Sequence, residues 1–138
     1  MNRRFIVMLF LGVLILAGLS REAQALCTIR KGGKTVATLE GITFRKGGKD
    51  LGTFDGVYIK KKGAVVGRYD GVYLKKKNIA IGYVDGYQVK KADGTVLYVV
   101  TDEGRVKKNG KLYMSFNDYS GIFDVKYLMA VYLLFFDR

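Results

Sequence analysis

The chain has 138 residues, 24 lysines and arginines against 12 aspartates and glutamates, and no histidine, proline or tryptophan. That length supports a single domain. The missing histidine removes the usual general base and the commonest metal ligand, and one cysteine can form neither an internal disulfide nor a zinc site.

Residues 1–25 stand apart from the rest. Arg3 and Arg4 precede an apolar run from Phe5 to Leu19, and Ala23-Gln24-Ala25 places small side chains at the −3 and −1 positions of a cleavage site. This is the layout of a secretory signal peptide cut near Ala25. The rival is an uncleaved anchor, although fifteen apolar residues fall short of the roughly twenty that a spanning helix uses. Cleavage makes the protein exported, periplasmic or extracellular. It removes three arginines and one glutamate, so the whole chain's +12 becomes +10. So basic a chain points to an anionic partner: lipid headgroups, wall polymer, an acidic protein or nucleic acid. Export argues against nucleic acid. The competing reading is a basic surface with no specific partner. Leu26 is too large for the position before a lipid-modified cysteine, so Cys27 reads as a small buried hydrophobe and lipoprotein processing is not expected.

From Leu26 onward the chain repeats itself. GVYIKKKGAVVGRYD (Gly56 to Asp70) is followed at once by GVYLKKKNIAIGYVD (Gly71 to Asp85). Gly41, Gly56, Gly71 and Gly86 recur every fifteen residues, as do Glu40, Asp55, Asp70 and Asp85. Six copies follow: 26–40, 41–55, 56–70, 71–85, 86–102 and 103–117. The first arm of each alternates, with Val57 and Ile59 expected on one side and Tyr58 on the other, which is a strand. Ile29 aligns with Phe44, Ile59, Leu74 and Val89, and Cys27 with Ile42, Val57, Val72 and Tyr87; both columns are apolar. The middle of each copy is a turn, with tips expected near Gly33, Gly48, Gly63, Asn78, Gly94 and Gly110. Gly, Asn-Gly and Asp-Gly accept the positive φ that tight hairpins need. The second arm, as in Ala64 to Tyr69, is again strand-like. Its apolar columns at Val66 and Tyr69 differ in parity, and the column Gly52, Gly67, Gly82 lies between them, so a bulge or sharp bend is expected there. One copy is one β-hairpin.

Six hairpins give about twelve short antiparallel strands, an all-β domain over 26–117. Closure into a shallow barrel removes both exposed sheet edges, and a stacked solenoid is the alternative. About eight strands already leave an interior that side chains can fill, so twelve leave a hollow. Residues 118–138 supply a filler: Tyr127 to Phe136 is almost wholly apolar, with Asn117, Asp118, Ser120 and Asp124 before it as caps. A helix apolar all round is normally buried, so a helix over roughly 122–136 is expected to plug the barrel. A final strand or a membrane-docking tail is the rival.

Tandem glycine-rich hairpins with Asp-Gly joints and basic tips resemble the bacterial β-flower domains, in which hairpin petals surround a shallow barrel. A barrel around a helix is also similar to the tubby C-terminal fold. The resemblance covers Leu26 to about Asn117 for the petals, and the helix by analogy. It implies architecture; the tubby-like fold further implies phosphoinositide headgroup binding through basic residues. No signature of that site occurs here, so no residue is carried over from it. MORN repeats share the glycine–aromatic composition but have a longer period.

The basic residues flank the tips: Arg30, Lys31, Arg45, Lys46, Lys60, Lys61, Lys62, Lys75, Lys76, Lys77, Lys90, Lys91, Lys107 and Lys108. A ring of hairpins puts every tip on one rim, with Glu40, Asp55, Asp70, Asp85 and Asp102 on the other. The expected function is a non-catalytic binding or structural module whose basic rim docks on lipid headgroups, lipopolysaccharide or wall polymer. Charged tips that only keep strands soluble and unpaired are the alternative. A carboxylate-based hydrolase is a further alternative. It needs two carboxylates within about 5–10 Å in a cleft, whereas the repeat spreads them around a rim. No catalytic residue, cofactor or metal site is expected, because single carboxylates at Asp-Gly turns lack the alternating acids of a calcium loop. Tyr58, Tyr73 and Tyr87 could stack on sugar rings or simply cover a sheet face.

Overall fold

The computed structural model describes residues 26–137, so the expected signal peptide lies outside the described residues. The strands, in chain order, form six hairpins. The first three are β1 (Leu26–Lys31) with β2 (Lys34–Glu40), β3 (Thr43–Lys46) with β4 (Lys49–Phe54), and β5 (Tyr58–Lys61) with β6 (Ala64–Tyr69). The others are β7 (Tyr73–Lys76) with β8 (Ile79–Asp85), β9 (Gln88–Lys91) with β10 (Val96–Val100), and β11 (Arg105–Lys108) with β12 (Lys111–Asn117). Every strand pairs antiparallel with its neighbours, and β12 returns to β1 with Phe116 opposite Ile29, so the barrel is closed.

The turn chemistry explains the hairpins. Gly32-Gly33, Gly47-Gly48, Lys62-Gly63, Lys77-Asn78 and Asn109-Gly110 all hold both residues at φ between +52° and +82°. This is the handedness that matches the twist of the flanking strands. The fifth hairpin differs from the two-residue pattern. It spans residues 92–95, with Lys91 N–H donating to Thr95 O and Thr95 N–H donating to the Asp93 carboxylate.

Each hairpin also carries a bulge. Ile29 faces Ala37 but Arg30 faces Thr35, which leaves Val36 unpaired; Leu51, Val66, Ile81, Leu97 and Tyr113 are the equivalents. The expected irregularity therefore falls one residue before the glycine column. It lets the second arm bend while Ile29, Phe44, Ile59, Leu74, Val89 and Val106 stay inward and fully buried.

One sequence expectation is corrected. Cys27 is buried, but Ile42, Val57, Val72 and Tyr87, the residues aligned with it, are about half exposed. Val57 does not share the inward face of Ile59. It precedes β5 in the Asp-Gly joint, where the strand alternation has not yet begun.

The hollow is filled by the C-terminal segment. Asp124 caps α1 (Val125–Val131), its Oδ1 accepting from Lys126 N–H at 2.9 Å, and a π-helical turn continues over Tyr132–Phe136. Leu128 to Val131, Leu133, Phe135 and Phe136 are buried in one cluster with the inward strand residues. The segment runs from the joint end, where Lys126 Nζ meets Asp102 at 2.6 Å, to the tip end, where Tyr113 O–H donates to Asp137 at 2.7 Å. The glycine column makes room for it. A Cβ on Gly67 would lie 2.5 Å from the Phe135 ring and 2.7 Å from Lys75 O, and one on Gly82 3.0 Å from Leu134. Phe136 stands over Gly52 in the same way.

Most neighbouring hairpins share only two or three residue pairs, although β9 pairs with β8 through four, up to Lys91 opposite Gly82. β5 meets β4, and β7 meets β6, through two pairs each, all at the joint end, while pairing within each hairpin continues to the turn. Apart from the junction of the fourth and fifth hairpins, the tip halves therefore stand as separate petals.

Candidate anion-binding rim

Alternation sorts the tip lysines into three positions. Residues one past each buried core residue face outward: Arg30, Arg45, Lys60, Lys75, Lys90 and Lys107. Residues two past it lie on the inner side of the mouth: Lys31, Lys46, Lys61, Lys76, Lys91 and Lys108. Lys62 and Lys77 occupy turn apices. All fourteen expected residues are thus at the tip end.

The outer column is largely engaged. Arg45 meets Asp50 at 2.9 Å and donates to Gly48 O, and Arg30 donates to Gly33 O and Thr35. Lys75 reaches Asp70 at 2.9 Å and Lys90 reaches Asp85 at 2.7 Å. The joint carboxylates therefore point partly up the wall and do not form a wholly separate acidic rim. The Asp70 carboxyl is held well below the usual carboxylate range, first by Tyr73 N–H, then by Lys75 and Val72 N–H. Asp55 is lowered by the same turn bonds, from Tyr58 and Val57. Turn chemistry accounts for these aspartates, as the sequence suggested. Asp85 raises the Lys90 ammonium pKa above its ordinary value.

The inner ring meets the end of the plug. Lys31 Nζ donates to Tyr113 O–H at 2.8 Å and lies 3.7 Å from Asp137, and the Tyr113 bond raises its pKa. Lys61 sits over the Phe136 ring at 5.4 Å, and Lys108 over Tyr113 and Tyr98 at 5.2 and 5.9 Å. A helix C-terminus carries partial negative charge, so lysines around it are favourably placed. Lys46, Lys62, Lys76, Lys77 and Lys107 make no ion pair or side-chain hydrogen bond among the described residues.

Sequence reading missed three further lysines. Lys34 faces Lys31 across its hairpin, Lys49 faces Lys46, and Lys111 faces Lys108. The signal was present: around a two-residue turn, positions i and i+3 face each other. It was obscured because other copies have Ala64 and Ile79 there. Asp137, Tyr98 and Tyr113 were also missed, since nothing local ties them to the tips. Clefts open between petals: one of about 280 Å³ is lined by Arg68, Lys75, Lys76 and Lys77, and another of about 360 Å³ by Arg30, Tyr113 and Ser115.

No protein-family model matches the chain, and no curated protein or solved structure shows significant similarity to it. Among the described residues no group of three or more His, Cys, Asp or Glu side chains could hold a metal ion, and no helix is long and apolar enough to cross a membrane.

Proposed function

We propose that this is an exported, non-catalytic binding module of the β-flower type whose basic tip rim docks on an anionic, phosphate-bearing envelope surface. The observation that carries the reading is lysine facing lysine at three petal tips, Lys31–Lys34, Lys46–Lys49 and Lys108–Lys111. Like charges directly opposite each other on a sheet are destabilising. Asp137 relieves only the first pair. Two more lysines, Lys62 and Lys77, sit at apices with φ +52°, where the first two hairpins use unstrained glycine. An anion resting on the tips would relieve the repulsion, and its pairing with the apex ammonium groups would offset the backbone cost of placing lysine there.

The test is binding to soluble polyphosphate and to vesicles containing anionic lipid. Wild type is expected to bind and to release as the screening length falls below about 8 Å. Changing Lys60, Lys61, Lys62, Lys75, Lys76 and Lys77 to glutamate should abolish binding and leave the circular dichroism spectrum unchanged. Equal behaviour of the two proteins at low salt would reduce the tip lysines to a solubility device.

A further inference from the structure

Exposed aliphatic side chains stand among the lysines on four consecutive petals. Val65 faces Lys60, Ile79 faces Lys76, Val96 faces Lys90 and Leu112 faces Lys107, each across its own hairpin. They are 56%, 67%, 45% and 63% exposed. These are the third to sixth hairpins, which are adjacent around the barrel. The first two hairpins carry Lys34, Thr35, Lys49 and Asp50 in the corresponding places. The tip rim is therefore an apolar-and-basic arc followed by a purely polar one.

We infer that the partner of the basic rim is a lipid leaflet bearing anionic headgroups, entered by the third to sixth petals with the first two held higher in the headgroup layer. This rests on the reading of the tip rim as the docking face and names its partner. A hydrated polyanion would give Val65, Ile79 and Leu112 nothing to bury them. A leaflet supplies charge to the lysines and an apolar boundary to the aliphatic side chains beside them, as it does for basic amphipathic surfaces in general. The joint end also shows half-exposed Ile42, Val57, Val72 and Tyr87, but Glu40, Asp55, Asp70 and Asp85 accompany them. Lys46, Lys62, Lys76, Lys77 and Lys107, which make no ion pair among the described residues, all lie at the tip end, so an anionic leaflet favours the tips.

The protein has no tryptophan, so one introduced indole reports its own position. The chain from Leu26 onward contains every strand of the closed barrel and the plug. In it, Ile79→Trp and Leu112→Trp are compared with Thr35→Trp on the polar arc and Val72→Trp at the joint end. Each is mixed with anionic vesicles whose acyl chains carry bromine, with zwitterionic brominated vesicles, and with polyphosphate. The inference expects blue-shifted emission and bromine quenching for Ile79→Trp and Leu112→Trp on anionic vesicles, weak quenching for Thr35→Trp and none for Val72→Trp. Replacing Val65, Ile79 and Leu112 by serine should weaken vesicle binding roughly tenfold or more and leave polyphosphate binding unchanged. Salt-sensitive binding to polyphosphate and vesicles with no quenching at the tips overturns the inference and leaves the basic rim standing. Quenching at Val72, or equal quenching on zwitterionic vesicles, overturns it as well. No binding to any of the three probes removes both readings.

Discussion

At the residue scale, the apex lysines are the informative departure from the repeat. Gly32 and Gly47 take the first turn position without strain, whereas Lys62 and Lys77 take it at φ +52°. An L-residue in the left-handed region costs about 1–2 kcal/mol, part of which glycine returns through unfolded-chain entropy. Lys62→Gly is therefore expected to raise stability in urea by roughly 1 kcal/mol and to weaken vesicle binding, so that stability and function move in opposite directions. Three turn aspartates, two at joints and Asp93 at the fifth tip, make a pH prediction. Asp55, Asp70 and Asp93 are lowered by backbone N–H groups that the unfolded chain does not offer. A lowered carboxyl stabilises the fold fully above the unfolded value near 4 and loses that stabilisation as pH falls through the lower folded value. Urea midpoints should hold from neutrality to about pH 5 and then fall toward pH 3, with a shallower fall in Asp70→Asn. Burial pushes the Cys27 thiol from an ordinary 9.0 up to about 11. The thiolate is the reactive form, so labelling of Cys27 at pH 8 should track barrel unfolding rather than solvent contact.

At the scale of elements, the plug and the glycine column form one device. Gly67 is small because Phe135 and Lys75 O occupy the space a side chain would need. Gly67→Ala should cost about 1–3 kcal/mol through overpacking, and Phe135→Ala about 3–5 kcal/mol through the cavity it leaves. Deleting 127–138 should destabilise the entire barrel, and a truncated protein that melted like the full chain would make the segment a tail. The hairpins, their turns and the plug were legible in the sequence because Gly-Gly, Lys-Gly and Asn-Gly have few other uses and an apolar run without alternation must be buried. The orientation of the column Ile42, Val57, Val72, Tyr87 was not legible. A period of fifteen shows that those positions are equivalent to one another, but the Asp-Gly joint breaks the alternation that would tell inside from outside.

At the scale of the whole molecule, the repeat turns small local preferences into a polarity between two ends. Tip lysines gather at one end, and the joint acids spend their charge on turn N–H groups and on Lys75, Lys90 and Lys126. The sequence showed this separation of charge in outline, since every copy carries its bases, and the first five their closing acid, at fixed places. It did not show that Lys31, Lys61 and Lys108 of the inner ring gather at the plug's end, because those contacts join residues such as Lys31, Tyr113 and Asp137 that are far apart in the chain. Asp85 makes no turn bond and engages only Lys90. Asp85→Asn should consequently free that lysine and leave affinity for an anionic surface equal to or tighter than wild type.

The most direct measurement is the affinity of wild type, the Lys60–Lys62 and Lys75–Lys77 reversal and Asp85→Asn for one anionic vesicle preparation, taken from about 50 to 200 mM salt. A basic docking rim requires wild-type affinity to fall steeply and steadily with salt, the reversal to be silent throughout, and Asp85→Asn to match or exceed wild type. Binding that ignores salt, or that survives the reversal, would contradict it.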